Sequence, residues 1–288
     1  MIIPVGYNSG YPFLDSVMTP VQAASAIKLH QSASDRSENM STECHCAESA
    51  IRAVEALHGR LACYVQPLRP LSGQALAQPQ HHEALVRVFA QDGRLLSTAD
   101  FIRACEGEGS VSAVDAWMVE RVCEHLACTA HTKTTYSVNV SRVSIRNHRF
   151  IKAMQGALRR YRIQPERLCV EITETAWMGG LVDILDFVRR VHSMGIKVSV
   201  DDVGAGFTTI GNLRRLDMDY LKFDMDFVSR AAHVKKEAAL LKAIQGFTAD
   251  MGIQTVAEGI ETQSLLDQMT EIGIDYAQGF LVGKPIPL

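Results

Sequence analysis

"KVSVDDVGAGFTT", Lys197 to Thr209, runs an apolar strand through Val198, Ser199 and Val200 into two adjacent aspartates and a glycine-rich loop. Neighbouring carboxylates repel, and neither face of a buried strand welcomes a charge. Asp201 and Asp202 therefore need either a positive partner beside them or a surface position as a helix cap. The flanking sequence sets the frame for that choice. Short β-rich runs recur at "LACYVQP", "HEALVRVFA", "TYSVNVS", "LCVEIT", "KVSVDDV", "YLKFD", "IQTVAEG" and "DYAQGFLV". Amphipathic stretches such as 111–127, 146–162, 181–194 and 236–251 lie between most of them. Eight strands alternating with helices over about 230 residues predict an α/β fold, a (β/α)8 barrel of the triosephosphate-isomerase type rather than an open sheet. The link between the first two strands is too short for a crossover helix, so the first strand should be antiparallel, a modification of the regular barrel.

The first 46 residues read differently. Residues 1–19 hold Gly, Pro, Asn and Tyr without period; Thr19, Pro20 and Gln22 then start a short helix as N-cap, first helical position and capping-box residue. "HQSASDRSENMSTEC" is polar and aperiodic, a flexible linker. A second helix, roughly 47–57, leads into the main body. The division is an N-terminal extension, 1–46, partly helical and partly flexible, and a barrel unit, 47–288.

The 288 residues are 47% hydrophobic with a formal net charge of −3, enough to bury a core and giving no basic surface for a nucleic-acid polymer. Seven cysteines form no CxxC pair, which argues against a disulfide framework or zinc site and for a reducing cytoplasm. "ECHCAE" at 43–48 has poor spacing for a metal. No run of roughly 18 apolar residues predicts a membrane span, and no export signal is evident.

The polar residues at the strand ends carry the functional signal: Gln66, Glu83, Asn139, Glu171, Asp201 with Asp202, Lys222, Glu258 and Gln278. In barrels of this type the carboxyl ends of the strands hold the active site. Glu83, Glu171, Asp201, Asp202 and Glu258 would converge there and cannot all ionise without cations among them. Oxygen ligands with an Asn carbonyl suit Mg²⁺ or Mn²⁺ rather than zinc, and a pair of ions would allow Asp201 and Asp202 to be adjacent. Each residue alone has a plainer reading. Glu83 or Glu171 would be a cap or solvated charge, "DDVGAG" a strand-to-turn link, "AEGIET" the cap of the helix after it, and Lys222 a structural ion-pair partner. Their joint occurrence favours a metal site.

"HEALVR", "SVNVS", "EITET", "VDDVGAGF", "YLKFD", "AEGIET" and "QGFLVGKPIP", in this order, resemble an EAL-domain cyclic-di-GMP phosphodiesterase over about 47–288. A second EAL triplet, "VEALHG" at 54–59, lies on a predicted helix with no arginine after it, so Glu55 reads as an exposed helix residue and Glu83 as the signature glutamate. The resemblance implies that Glu83, Asn139, Glu171 and Asp201 ligate one Mg²⁺ or Mn²⁺ and that Asp201, Asp202 and Glu258 serve a second. Lys222 would hold or polarise the attacking water, with Glu258 assisting as base. Gln66 and Gln278 would orient the ligand, Asp202 would stand at the substrate as well, and Arg87 would reach a phosphate. Glu174 would tether the "DDVGAGF" loop, beside which family members dimerise, so a homodimer is expected. The implied reaction opens cyclic di-GMP to linear pGpG.

The family's loop usually reads DFGTGYSS; here it is DVGAGFTT, with Val203 for an aromatic and Ala205 for a hydroxyl residue, changes that touch loop order more than metal binding. His81 and His82 read as a surface turn rather than a metal pair. The sequence stops at "KPIPL", so a final helix is expected to be short or absent. Relatives that bind the nucleotide without cleaving it, or bind only proteins, typically lose carboxylates, the lysine or the loop glutamate, all kept here. Catalysis leads, with a sensor or a protein-interaction module as alternatives.

Overall fold

The computed structural model describes residues 51–288 apart from positions 57, 77, 79, 130, 131, 174–179 and 205–213. The expected helix from Thr19, the linker, the "ECHCAE" segment, Glu174 and the loop from Ala205 lie outside the described residues.

Eight strands close the barrel: β1 (Arg60–Pro70), β2 (His81–Phe89), β3 (Thr135–Asn139), β4 (Leu168–Thr173), β5 (Lys197–Val203), β6 (Tyr220–Phe223), β7 (Gln254–Ala257) and β8 (Tyr276–Ala277). β2 to β8 run parallel in chain order, and β1 closes the ring antiparallel to both β2 and β8. The antiparallel first strand follows from its connection: among the described residues, only a helical turn, Gly73–Leu76, stands between β1 and β2. The last segment is a two-residue strand, β9 (Ile286–Pro287), which pairs with Tyr64 and Val65 of β1.

The major helices are α1 (Thr98–Glu108), α2 (Val111–Cys128), α3 (His148–Tyr161), α4 (Leu181–Ser193), α5 (Met225–His233), α6 (Lys235–Asp250) and α7 (Gln263–Ile272). Their starts follow from capping residues. Ser97, Asn147, Asp224 and Thr262 each accept a backbone N–H of the first turn, satisfying a donor that the helix leaves open. No helix among the described residues is long and apolar enough to cross a membrane.

Strand alternation sorts the side chains into two cores. Val138, Val170, Ile172, Val198, Val200 and Leu221 point outward and bury against the helices. The inward set is mixed: Leu68, Cys169, Tyr220, Val256 and Tyr276 plug the lower barrel, and polar side chains stand above them. His81 corrects the surface-turn reading. It begins β2, is 3% exposed, and its ring meets Tyr220 edge-on at 4.8 Å. It shares the inward face with Glu83, two residues on, while His82 faces out and stacks on Tyr136. A separate small core of Ile51, Val54, Leu61, Val88, Phe101 and Val114 holds residues 51–56 and α1 against the ends of β1 and β2. Glu55 is only partly exposed, because its Oε1 accepts the Leu61 N–H at 3.0 Å.

Candidate active site

The alternation that lines the upper barrel with apolar residues outside brings Glu83, Asn139, Glu171, Asp201, Lys222 and Gln278 inside. Register sets their heights: Gln66 stands opposite Glu83, Asn139 opposite Glu171, and Thr173 opposite Asp201. Glu258 follows β7 directly, its N–H bonded to the Phe223 carbonyl.

Lys222 is the centre. It is 1% exposed, and its Nζ lies 2.7 Å from Glu258, 3.0 Å from Glu171, 3.2 Å from Glu83 and 3.3 Å from Asp201. Burial disfavours its charge, but the four carboxylates hold its pKa well above the ordinary lysine value. The plain reading of Lys222 as an ion-pair partner thus holds, one ammonium answering four acids.

The acids do not share that cation equally. Burial pushes Glu83 up, yet Lys222 and the amide donors of Gln278 and Asn139 hold it below its usual range. Gln278 Nε2 donates to Glu83 Oε2 at 2.6 Å and Asn139 Nδ2 to Glu83 Oε1 at 2.8 Å. Glu171 is pushed up to about 8 by burial, with Glu83 and Asp201 adding repulsion that Lys222 only partly offsets. Burial likewise raises Asp201 and Glu258. An added cation would compete with protons on the acids that burial raises.

The adjacent aspartates are explained by a backbone irregularity. Val200 pairs with Leu221 and Val203 with Phe223, so two residues, Asp201 and Asp202, stand against the single Lys222. This is a β-bulge, and Asp202 takes a left-handed φ of 62°, which Asp tolerates better than most residues. In a regular strand neighbours point to opposite faces; the bulge brings both carboxylates to one side. Asp201, Asp202 and Glu258 each offer an oxygen within 4.8 Å of the others. Val203, beyond the bulge, packs outward at 1% exposure.

Two further loops frame the mouth. Gln278 N–H bonds to Ala257 O, Ile260 N–H to Gln278 O and Leu281 N–H to Ile260 O, which ties the segment after β8 to that after β7. Gly279 is required there, since a Cβ on it would lie 2.3 Å from the Ile260 backbone. Gln66 Oε1 accepts from Gln278 Nε2 at 3.3 Å, and its own Nε2 donates to Gly283 O at 3.0 Å. Arg87 lies on the same strand face as Glu83, four residues nearer the rim, with its guanidinium over the Tyr64 ring at 5.8 Å. The barrel thus brings every described candidate together around the mouth, with Arg87 at its edge. Tyr64 was not singled out from the sequence; the available signal was its place two residues before Gln66 on the same strand face.

The chain matches the model of the EAL domain over residues 50–285. It is 31% identical over 257 residues to the cyclic di-GMP phosphodiesterase PdeB of Shewanella oneidensis, covering 88% of this chain and 30% of that protein. It is 25% identical over 236 residues to the cyclic di-GMP phosphodiesterase PdeF of Escherichia coli, covering 80% of this chain and 30% of that one. The chain therefore spans about 30% of the length of these curated relatives. Among solved structures, the PaMucR phosphodiesterase in complex with c-di-GMP superposes with a TM-score of 0.73 at 26% identity, covering 85% of this chain and 98% of that one. The FimX EAL domain of Pseudomonas aeruginosa bound to c-di-GMP matches with the same TM-score at 20% identity, covering 83% of this chain and 96% of that one, a likeness of fold. With a domain match over residues 50–285 and a barrel whose first strand is reversed, the chain belongs to the EAL domain family.

Proposed function

We propose that this chain is a metal-dependent phosphodiesterase that opens cyclic di-GMP to linear pGpG. The observation that carries the reading is the buried Lys222 ringed by four carboxylates, with the β5 bulge turning a further acid, Asp202, into the same space. An all-oxygen donor set at one barrel mouth, already held together by a cation, fits hard divalent ions. Glu83, Asn139, Glu171 and Asp201 would hold one Mg²⁺ or Mn²⁺, and Asp201, Asp202 and Glu258 a second. When bound, such ions neutralise the phosphodiester and make water a stronger nucleophile at neutral pH.

The remaining work falls to the chain. Lys222 places a fixed positive charge where negative charge grows on the attacked phosphate, and water is scarce enough there for it to count. Glu258 keeps about a fifth of its side chain exposed, so it can meet water and take its proton. Water adds to phosphorus, one P–O bond to a ribose breaks, the leaving oxygen gains a proton, and the ring opens. Gln66 and Gln278 set the position of Glu83 and offer amide groups to the ligand, while Arg87 supplies a fork for a phosphate oxygen. Glu174, outside the described residues, is assigned as tether of the loop after Asp202. The catalytic unit is 47–288, working as a cytoplasmic homodimer, with 1–46 as an appended segment.

Turnover tests the reading. Purified protein is mixed with cyclic di-GMP in Mg²⁺ or Mn²⁺, with EDTA as control, and products are separated by ion-pair chromatography. Metal-dependent pGpG is the expected result. Nucleotide bound in EDTA with no product in Mg²⁺ would overturn it in favour of a sensor, and no binding under either condition in favour of a protein-interaction module.

A further inference from the structure

Asp115 lies on α2 among Val111, Val114, Met118 and Val122, all buried, and is itself 6% exposed. A carboxylate set in such a stripe is costly unless it is hydrogen-bonded. Its partner is a backbone group: Ser141 N–H donates to Asp115 Oδ2 at 2.9 Å. Burial raises the Asp115 carboxyl to about 6, and the Ser141 and Ser144 donors pull the other way.

Ser141 stands two residues after Asn139. The segment between them is fixed from both sides, because Val140 N–H donates to the Glu171 carbonyl at 2.9 Å and Ser141 N–H to Asp115. The Ser141 side chain then accepts from Ser144 N–H and starts a short turn of helix, Arg142–Ile145. A second α2 residue, Ser112, accepts from Asn147 Nδ2 at 2.9 Å. Two α2 side chains three residues apart thus hold both ends of the connection that leaves β3.

We propose that Asp115 is a positioning residue for the cation site, holding the end of β3 so that Asn139 keeps its amide on Glu83 and its carbonyl free for a metal. This rests on the metal-dependent reading above. Asn139's side chain donates to Glu83, and the N–H of Val140, the next residue, bonds to the backbone carbonyl of Glu171. Loss of the Asp115 acceptor leaves the part-buried Ser141 N–H without that partner and frees the segment to shift. Groups that hold a ligand in place typically contribute about 10–100-fold to metal affinity or activity.

The test is a Mn²⁺ titration of the full chain, with free Mn²⁺ read by electron paramagnetic resonance and melting recorded in parallel. Asp115→Ala is expected to weaken Mn²⁺ binding by about 10-fold or more. Asp115→Asn, which still accepts from Ser141, should stay close to wild type. Val122→Ala, a packing change on the same helix, should lower Tm and leave Mn²⁺ affinity alone. Ser141→Pro removes the donated hydrogen from the other side, together with the hydroxyl that caps the turn, and suits the local φ of −68°; compared with Ser141→Ala, which removes the hydroxyl alone, it should weaken binding further even where Asp115→Ala fails to fold. Wild-type affinity in a folded Asp115→Ala and in Ser141→Pro would overturn the assignment. Equal weakening by Val122→Ala would overturn it too, by tracing the effect to stability. A wild-type chain that binds no Mn²⁺ would overturn both this assignment and the metal-dependent reading, whereas wild-type binding with unaffected variants removes only this one.

Discussion

Replacing Lys222 with methionine keeps most of the side chain's volume and removes the charge that four buried or half-buried carboxylates share. At an effective dielectric of 20, a single attraction at 3.0 Å amounts to roughly 5.5 kcal/mol. The four do not sum, because the carboxylates also repel one another and those with raised pKa values discard charge by holding protons. Removing one member of a buried ion cluster typically costs about 3–5 kcal/mol. For a chain of this size each kcal/mol moves Tm by about 2–4 °C, so Lys222→Met should melt roughly 6–20 °C below wild type in EDTA near pH 8. Near pH 6 the gap should narrow, since Glu171, with its pKa about 8, is then protonated and needs the cation less. Differential scanning fluorimetry at both pH values gives the comparison. A loss of less than about 2 °C near pH 8 would mean that the lysine does not hold the acids together.

Three further outcomes are expected. Glu83→Ala should abolish turnover while the barrel still melts cooperatively; a normal kcat would sink the metal assignment at β2. Metal-free stability should fall as pH rises from Glu171's unfolded value near 4.5 toward its folded value about 8, because the protonated form is the one the fold favours. Mn²⁺ should therefore raise Tm more near pH 8 than near pH 6, and Glu171→Gln should flatten that difference; an equal rise in the unsubstituted chain at both pH values would contradict the sign. Gly279→Ala should destabilise by about 1–3 kcal/mol or more, since its Cβ would meet the Ile260 backbone at 2.3 Å, and denaturant melts that show no shift would refute that close approach.

The barrel was legible because its strands alternate: "TYSVN", "LCVEIT" and "KVSVDDV" each place valines outward and one polar residue inward at the same end. The short β1–β2 link gave the reversed strand by distance alone. The bulge at Asp201–Asp202 was not legible, since nothing in "DD" states that a non-glycine residue will take φ of 62°. The burial of His81 is hidden in the sequence because a histidine pair after a proline-containing link has the composition of a turn, while its strand parity with Glu83 points inward. Asp115 left a fainter trace, a lone acid in a helix face otherwise marked by Val111, Val114, Met118 and Val122. Composition could show that it was out of place, but not which backbone N–H it served.

The reversal of β1 also decides where the chain enters the barrel. Arg60 pairs with Phe89, at the mouth end of β2, six residues along from the Gln66–Glu83 pair. At about 3.4 Å per residue, the two strands stand roughly 20 Å above the acids as a ribbon. Residues 51–56 sit at the top of that ribbon, in the small core with α1. The chain before Arg60 therefore enters at the acid-lined mouth and not at the barrel floor, where a regular first strand would receive it.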